Sequence, residues 1–227
     1  MDPRGRWYMR SKSYYSFGSS LHRVLERFHD SDDAGVTTVD EAVAAVEESW
    51  VDAGYGSAEE MAEALGEGKA MVERYVEDAI THDRGGRSLL VEKMLNMHFD
   101  RFKLVGRPDR VDEMEDGTLE IVDYKTGRAT VTAEEVAHDI ALACYQLLVR
   151  QLFPDRRIVA TIVALRSGDR ATHGMNDAEL KQFQIDIEVL GNEILDVDYP
   201  ELVPVPKDLC PRCDFLPLCK KHPEFGD

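Results

Sequence analysis

The sequence predicts an α/β sandwich, a mixed central sheet flanked by helices, and a change of hydrophobic period is the observation behind that class. Apolar residues recur at helical spacing over the first third of the chain, then give way to short runs rich in Val, Leu and Ile. Helical spacing then returns on either side of one more apolar run, the order expected of strands joined by a crossover helix. A further observation sets the end apart: three of the four cysteines fall between positions 210 and 219. The expected organisation is an N-terminal helical region over 1–88, an α/β core over 89–199 and a C-terminal cysteine-rich metal staple over 200–227, together one structural unit.

Each element has its own signal. Residues 18–29 read as a helix capped by Ser19 or Ser20, with Leu21, Val24, Leu25 and Phe28 on one side. Residues 30–35 are a polar break. Thr38 or Asp40 caps a second helix reaching about Val51, with Ala42, Val43, Val46 and Trp50 inward. Ser57 opens a long third helix to about His82, its apolar side formed by Met61, Leu65, Val72, Val76 and Ile80, and Gly85-Gly86 ends it. Residues 89–97, 99–114 and 118–124 read as strands. Residues 132–153 read as one helix, 158–165 as a buried strand and 178–195 as an amphipathic helix. Pro200, Pro204 and Pro206 make a stiff connector to the cysteines. There is no internal repeat and no low-complexity tract.

Composition narrows the class. In 227 residues, 43% hydrophobic and 31% charged content fits a globular domain. No apolar run approaches the roughly 20 residues that span a bilayer, so no membrane partner is expected. The first ten residues lack the apolar core of a signal peptide, which makes a cytoplasmic location the expectation. The net charge of −17 argues against a nucleic-acid partner until its placement is considered. Residues 26–83 hold 17 acidic side chains against Arg27, Lys69 and Arg74, so −14 of the −17 lies there. The remainder is near neutral and carries Arg4, Arg6, Arg10, Lys12, Arg101, Lys103, Arg107, Arg110, Lys125 and Arg128.

The stretch Gly106-Arg107-Pro108-Asp109-Arg110-Val111-Asp112, followed by Ile121-Val122-Asp123-Tyr124-Lys125-Thr126-Gly127, carries the chemistry. On an extended strand Leu119, Ile121, Asp123 and Lys125 share a face, and a carboxylate and an ammonium closing an apolar face are costly unless they are used. Asp109 and Asp123 can supply the two carboxylates with which a hard cation such as Mg²⁺ is commonly held, and Lys125 can sit beside an attacking water. The two aspartates meet only in one register. A two-residue turn at Asp116-Gly117 sets them on opposite faces, whereas a three-residue loop, Glu115-Asp116-Gly117, pairs 109 with 123 and 111 with 121. Gly117 then takes the position that wants φ > 0.

Residues 105–128 resemble the core motifs of the RecB-like branch of the PD-(D/E)XK nuclease superfamily, which includes AddB-type helicase-nucleases and CRISPR-associated RecB-like exonucleases. Gly18-Ser19-Ser20-Leu21-His22 resembles that branch's helical histidine motif, and Val91-Glu92 its first-strand acidic residue. The resemblance implies a restriction-endonuclease-like core and a metal-dependent DNA nuclease, a single-strand-preferring exonuclease using Mg²⁺ or Mn²⁺, of the kind found in DNA repair and CRISPR systems. It implies that His22, Asp109, Asp123 and the Tyr124 carbonyl hold metal, that Glu92 supports the site, that Lys125 orients the nucleophilic water, and that Tyr145 contacts DNA or steadies the lysine. One departure is plain: the family's glutamine one turn before that tyrosine is here Ala141, and Gln146 points elsewhere.

Cys210, Cys213 and Cys219 have the C-x2-C-x5-C spacing of the C-terminal part of an iron–sulfur staple, and the resemblance implies a 4Fe-4S cluster. The family's fourth cysteine precedes a Pro-basic-aromatic stretch near the N-terminus. Here Asp2 stands in its place, so either Asp2 or a residue upstream completes the set. A closed Zn²⁺ site of Cys210, Cys213, Cys219 and His222 is the alternative. Cys144 reads as a small buried hydrophobe. Two functional alternatives stay open, a catalytically weak DNA-binding or adaptor module and a nuclease subunit that needs a helicase or CRISPR-type protein partner.

Overall fold

The computed structural model describes residues 10–30, 35–82, 86–198 and 202–225. Three helices come first: α1 (Ser13–His29), α2 (Val39–Glu48) and α3 (Ala58–Thr81). Thr38 caps α2 in a reciprocal box with Glu41, and Ser57 caps α3 through Glu60 N–H. Two expectations shift here. α1 begins five residues earlier than the sequence suggested, because its serines are interior: Ser20 Oγ donates to the Ser16 carbonyl and accepts from Val51 N–H. α2 stops before Trp50, whose ring instead meets Phe17 edge-on.

Strands β1 (Gly86–Val91), β2 (Leu95–His98), β3 (Lys103–Gly106), β4 (Arg110–Met114) and β5 (Leu119–Lys125) follow. The two long runs expected over 89–97 and 99–114 are each broken in two. Glu92 turns the chain with φ of 49°, and Arg107-Pro108-Asp109 interrupts the second run, proline having no N–H for a ladder. The expected helix over 132–153 is also two, α4 (Ala133–Ala137) and α5 (Ile140–Leu152). Asp139 separates them because its carboxylate accepts from Ala141 and Leu142 N–H and so starts a new helix. β6 (Ile158–Ala164), β7 (Arg170–His173) and α6 (Asp177–Asp196) complete the core, and α7 (Leu216–Cys219) lies within the cysteine segment. The short edge strand β7 has no clear signal in the sequence.

The central sheet has five strands in the order β1-β4-β5-β6-β7, all neighbours antiparallel except β5 and β6. It is therefore mixed, as expected, with α4 and α5 forming the crossover between its parallel pair. One face packs on α1–α3 through Val122, Tyr124, Val163 and Leu165, and the other on α5 through Val111, Ile121, Ala160 and Ile162. Leu21, Leu25, Ile121 and Leu148 are almost wholly buried in these layers, each contributing about 1.5–3 kcal/mol. Among the described residues no helix is long and apolar enough to cross a membrane. The described ends of the chain meet: the Asp214 carboxylate accepts from Arg10 N–H at 3.3 Å and lies 3.3 Å from Lys12 Nζ.

Candidate active site

The β4–β5 hairpin sets the geometry. Val111 faces Ile121 and Arg110 faces Val122, the register that brings Asp109 and Asp123 together. Met114 and Thr118 close the ladder around the loop Glu115-Asp116-Gly117, and Gly117 sits at φ of 82°, as the three-residue loop requires. Asp109 is fixed from both sides. Its Oδ2 accepts from Tyr124 N–H at 2.7 Å, and its carbonyl accepts from Glu92 N–H at 2.9 Å. The left-handed turn at Glu92 thus ties β1 to Asp109 and folds the Glu92 carboxylate into the same site. A non-glycine residue in that region is held there by its surroundings, a strain that accompanies functional positions.

His22 comes in from α1. Its Nδ1 lies 3.2 Å from Asp109 Oδ1 and 3.9 Å from Glu92 Oε1, and its Nε2 is 3.0 Å from the Tyr124 carbonyl oxygen. Burial opposes charge on this ring, yet hydrogen bonds and charges from Asp109 and Glu92 override it and push its pKa up to about 10. Both ring nitrogens face acceptors, an arrangement that favours the protonated ring. Asp123 is pushed the opposite way for a carboxylate. Burial and then the charge of Asp109 raise it to about 6, against the pull of Lys125. Lys125 Nζ is 2.6 Å from Asp123 Oδ2, and that oxygen is otherwise buried without a well-directed hydrogen bond.

Tyr145 is the remaining expected site residue. It stands on α5 beside Gly106, where a β-carbon would come within 2.7 Å of Leu148 Cδ1 and 3.0 Å of Tyr145 Cδ1, so a larger residue there would push against both side chains. Its phenol is held up at about 12 by burial and then by the charges of Asp123, Asp109 and Glu92. It makes no direct hydrogen bond to Lys125 among the described residues. Gln146 is buried and accepts from Met175 N–H, away from the site as expected, and Ala141 is exposed. Sequence reasoning named Arg107 only as a basic group and missed its pairing with Glu92, whose Oε2 lies 2.9 Å from Arg107 Nε; its place beside Pro108-Asp109 was the available signal.

Among the described residues, His22, Glu92 and Asp109 are the group of three ligand-bearing side chains whose donor atoms lie within 4.8 Å of one another. That set, the Asp123 carboxylate and the Tyr124 carbonyl fit a divalent cation: hard oxygen donors and a surplus of carboxylate over fixed cations. The cysteines do not form such a group among the described residues. Cys210 Sγ accepts from Lys207 N–H at 3.2 Å, and Cys213 and Cys219 follow on successive turns. Asp2 lies outside the described residues.

A family model described as the PD-(D/E)XK nuclease superfamily matches residues 6–220. The chain belongs to that superfamily. It is accordingly assigned to metal-dependent nucleases, hydrolases of phosphodiester bonds, and its α/β architecture with a mixed sheet between helices agrees with the restriction-endonuclease-like fold. No curated protein is significantly similar to it. A solved structure similar to it is that of a protein named SSO0001; it is 12% identical, with 92% of this chain and 96% of that one covered, at a TM-score of 0.36.

Proposed function

We propose that this superfamily member is a Mg²⁺- or Mn²⁺-dependent deoxyribonuclease that trims single-stranded DNA from its ends. The observation that carries the reading is the convergence of His22, Glu92 and Asp109 with the Tyr124 carbonyl at the end of a strand that also bears Asp123 and Lys125. Asp109, Asp123 and the Tyr124 carbonyl would hold the ion, with His22 and Glu92 alongside. A divalent ion bound there supplies Lewis-acid polarisation of the phosphate and a more acidic water. Lys125 orients the nucleophile and neutralises charge that develops on the phosphoryl oxygens. Tyr145, half-buried on α5, would contact the DNA strand.

The test uses end-labelled single- and double-stranded DNA with Mn²⁺, with Mg²⁺ and with chelator. Metal-dependent shortening of linear single strands, with circular single strands spared, is expected. Cutting of circles would replace the exonuclease by an endonuclease. No cleavage by folded protein under any of these conditions would leave the DNA-binding or adaptor reading.

The cysteine segment supports a structural 4Fe-4S cluster on Cys210, Cys213 and Cys219. Asp214, inside that segment, already clasps Arg10 and Lys12, so the segment joins the described chain ends where such a staple would. Tetrahedral zinc would need the sulfurs within roughly 4 Å of one another, whereas a cubane carries each cysteine on its own iron and holds them further apart. Anaerobically purified protein is expected to be brown and to contain iron and sulfide; colourless protein with one zinc would point to His222 instead.

A further inference from the structure

The N-terminal half of α1 carries features that the chemistry of the site does not use. Tyr14 and Tyr15 are 58% and 62% exposed, with ring centroids 4.4 Å apart and planes tilted by 46°. Two neighbouring aromatic rings left in water on an ordered helix mark a surface for binding. Beside Tyr15 runs a shallow groove of about 280 Å³. Arg10, Lys12 and Arg23 line it together with the hydroxyl residues Ser11 and Ser19, and among the described residues no carboxylate does, in a chain of net charge −17. Lys12 is held by Asp214 at 3.3 Å, while Arg23 makes no ion pair among the described residues.

Helix geometry links this surface to the site. Tyr15, Ser19 and His22 are spaced four and three residues apart, so they lie along one stripe of α1, Tyr15 and His22 being separated by two turns, about 10 Å along the axis. The stripe ends where His22 meets Asp109 and the Tyr124 carbonyl, and Gly18 on its flank lies against Thr126, just past Lys125. A nucleotide next to the one whose phosphate reaches the metal-ligand group would therefore find Tyr15 at the height of its base. Unpaired bases have free faces to stack on tyrosine, and the cations beside them suit the backbone phosphates.

We infer that the exposed face of α1 is a single-strand entry track: unpaired bases stack on Tyr14 and Tyr15 while phosphates run along Arg23, Lys12 and Arg10. The inference rests on the deoxyribonuclease reading above and adds to it the element that would select single strands. A duplex end, with its bases already stacked, would gain little from the tyrosines.

The full chain, in chelator, is titrated into a short single-stranded oligonucleotide carrying 2-aminopurine near its end, whose fluorescence falls when the base stacks on an aromatic ring. Wild-type protein should quench it. Tyr15→Ala and Tyr14→Ala should each weaken binding about tenfold and abolish the quench, and Tyr15→Trp should restore both. Arg23→Ala should weaken binding with a smaller dependence on salt. With Mn²⁺ present, kcat/KM on single-stranded DNA should fall in Tyr15→Ala, while hydrolysis of bis(p-nitrophenyl) phosphate, too small to reach the track, stays at the wild-type rate. A loss on both substrates would show the tyrosine to be structural and overturn the inference. Unchanged binding and quench in the Tyr14→Ala/Tyr15→Ala protein, with wild type binding and cutting single strands, would overturn the track alone. Failure of wild type to bind single strands at all would overturn the track together with the reading beneath it.

Discussion

Side chains of the β4–β5 hairpin alternate between two faces, and the two faces handle buried charge differently. Toward α1–α3, Arg110 pairs with Asp112 at 2.9 Å and donates to the Tyr75 hydroxyl at 3.1 Å, and the Tyr75 hydroxyl in turn lies 2.8 Å from that of Tyr124. His29 Nδ1, 2.7 Å from Arg110 Nη1, accepts there and is kept neutral by burial and by the charges of Arg110 and Arg170. Arg170 pairs with Glu120 at 3.0 Å. Each carboxylate on this side has a guanidinium. At the Asp109–Asp123 side, Glu92, Asp109 and Asp123 have Lys125 and the rim residue Arg107 as permanent cations, and His22 makes up the deficit. A balance struck with guanidiniums is permanent. One struck with an imidazolium can be exchanged for another cation, with release of a proton, which is what a metal site needs. The first face holds the hairpin; the second is arranged to bind.

The largest expected effect breaks the second face. Asp123→Asn should lower nuclease activity by roughly 10³-fold, since it removes a charged ligand at the reacting phosphate. The same change should raise stability in chelator. The folded-state pKa of Asp123, about 6, lies above its ordinary 3.8. Its contribution to folding is therefore fully present below pH 3.8 and is lost as pH rises through 6. Above that the native state carries a carboxylate it disfavours, and Asn relieves it by about 1–3 kcal/mol. Unfolding curves of the two proteins should coincide near pH 4 and separate by pH 7, with the variant more stable. A variant less stable than wild type at pH 7 would mean that the site is built for stability, and the contrast between the faces would fail.

Much of the hairpin was legible because its signals are local. Strand alternation sets Asp123 and Lys125 on one face, and loop arithmetic with a glycine at its end fixes the partner of Asp109. His22 and Glu92 became visible through the family resemblance, since nothing in a lone helical histidine announces that it will touch a strand carbonyl 102 positions away. What stayed hidden depends on tertiary contact. Glu92 reads as strand but turns into the left-handed region where its N–H bonds the Asp109 carbonyl. The break at Asp139 needed a choice between continuing one helix and capping a second, and propensity favours the longer helix. Arg110 and Asp112 look like solvated hairpin charges. Only the arrival of Tyr75 from α3 and His29 from α1 makes them buried partners.

That hidden face gives the smaller and sharper prediction. Arg110→Met removes the guanidinium but keeps the bulk of the side chain, leaving Asp112 buried without its cation. Burial already raises the pKa of Asp112 and Arg110 is its main relief, so the single variant should lose about 3–5 kcal/mol in urea unfolding at neutral pH. Arg110 Nε has no hydrogen-bond partner even in the intact network, so the desolvation of this pair is not fully repaid. Replacing both members, Arg110→Met with Asp112→Leu, should therefore recover most of the loss. The double variant should also keep nuclease activity within about tenfold of wild type where it is folded, because Asp109 is held by Tyr124 N–H and Glu92 N–H rather than by Arg110. Recovered stability with activity still lost by orders of magnitude would break the comparison from the other side: the permanent charges behind the hairpin would then be setting the chemistry in front of it.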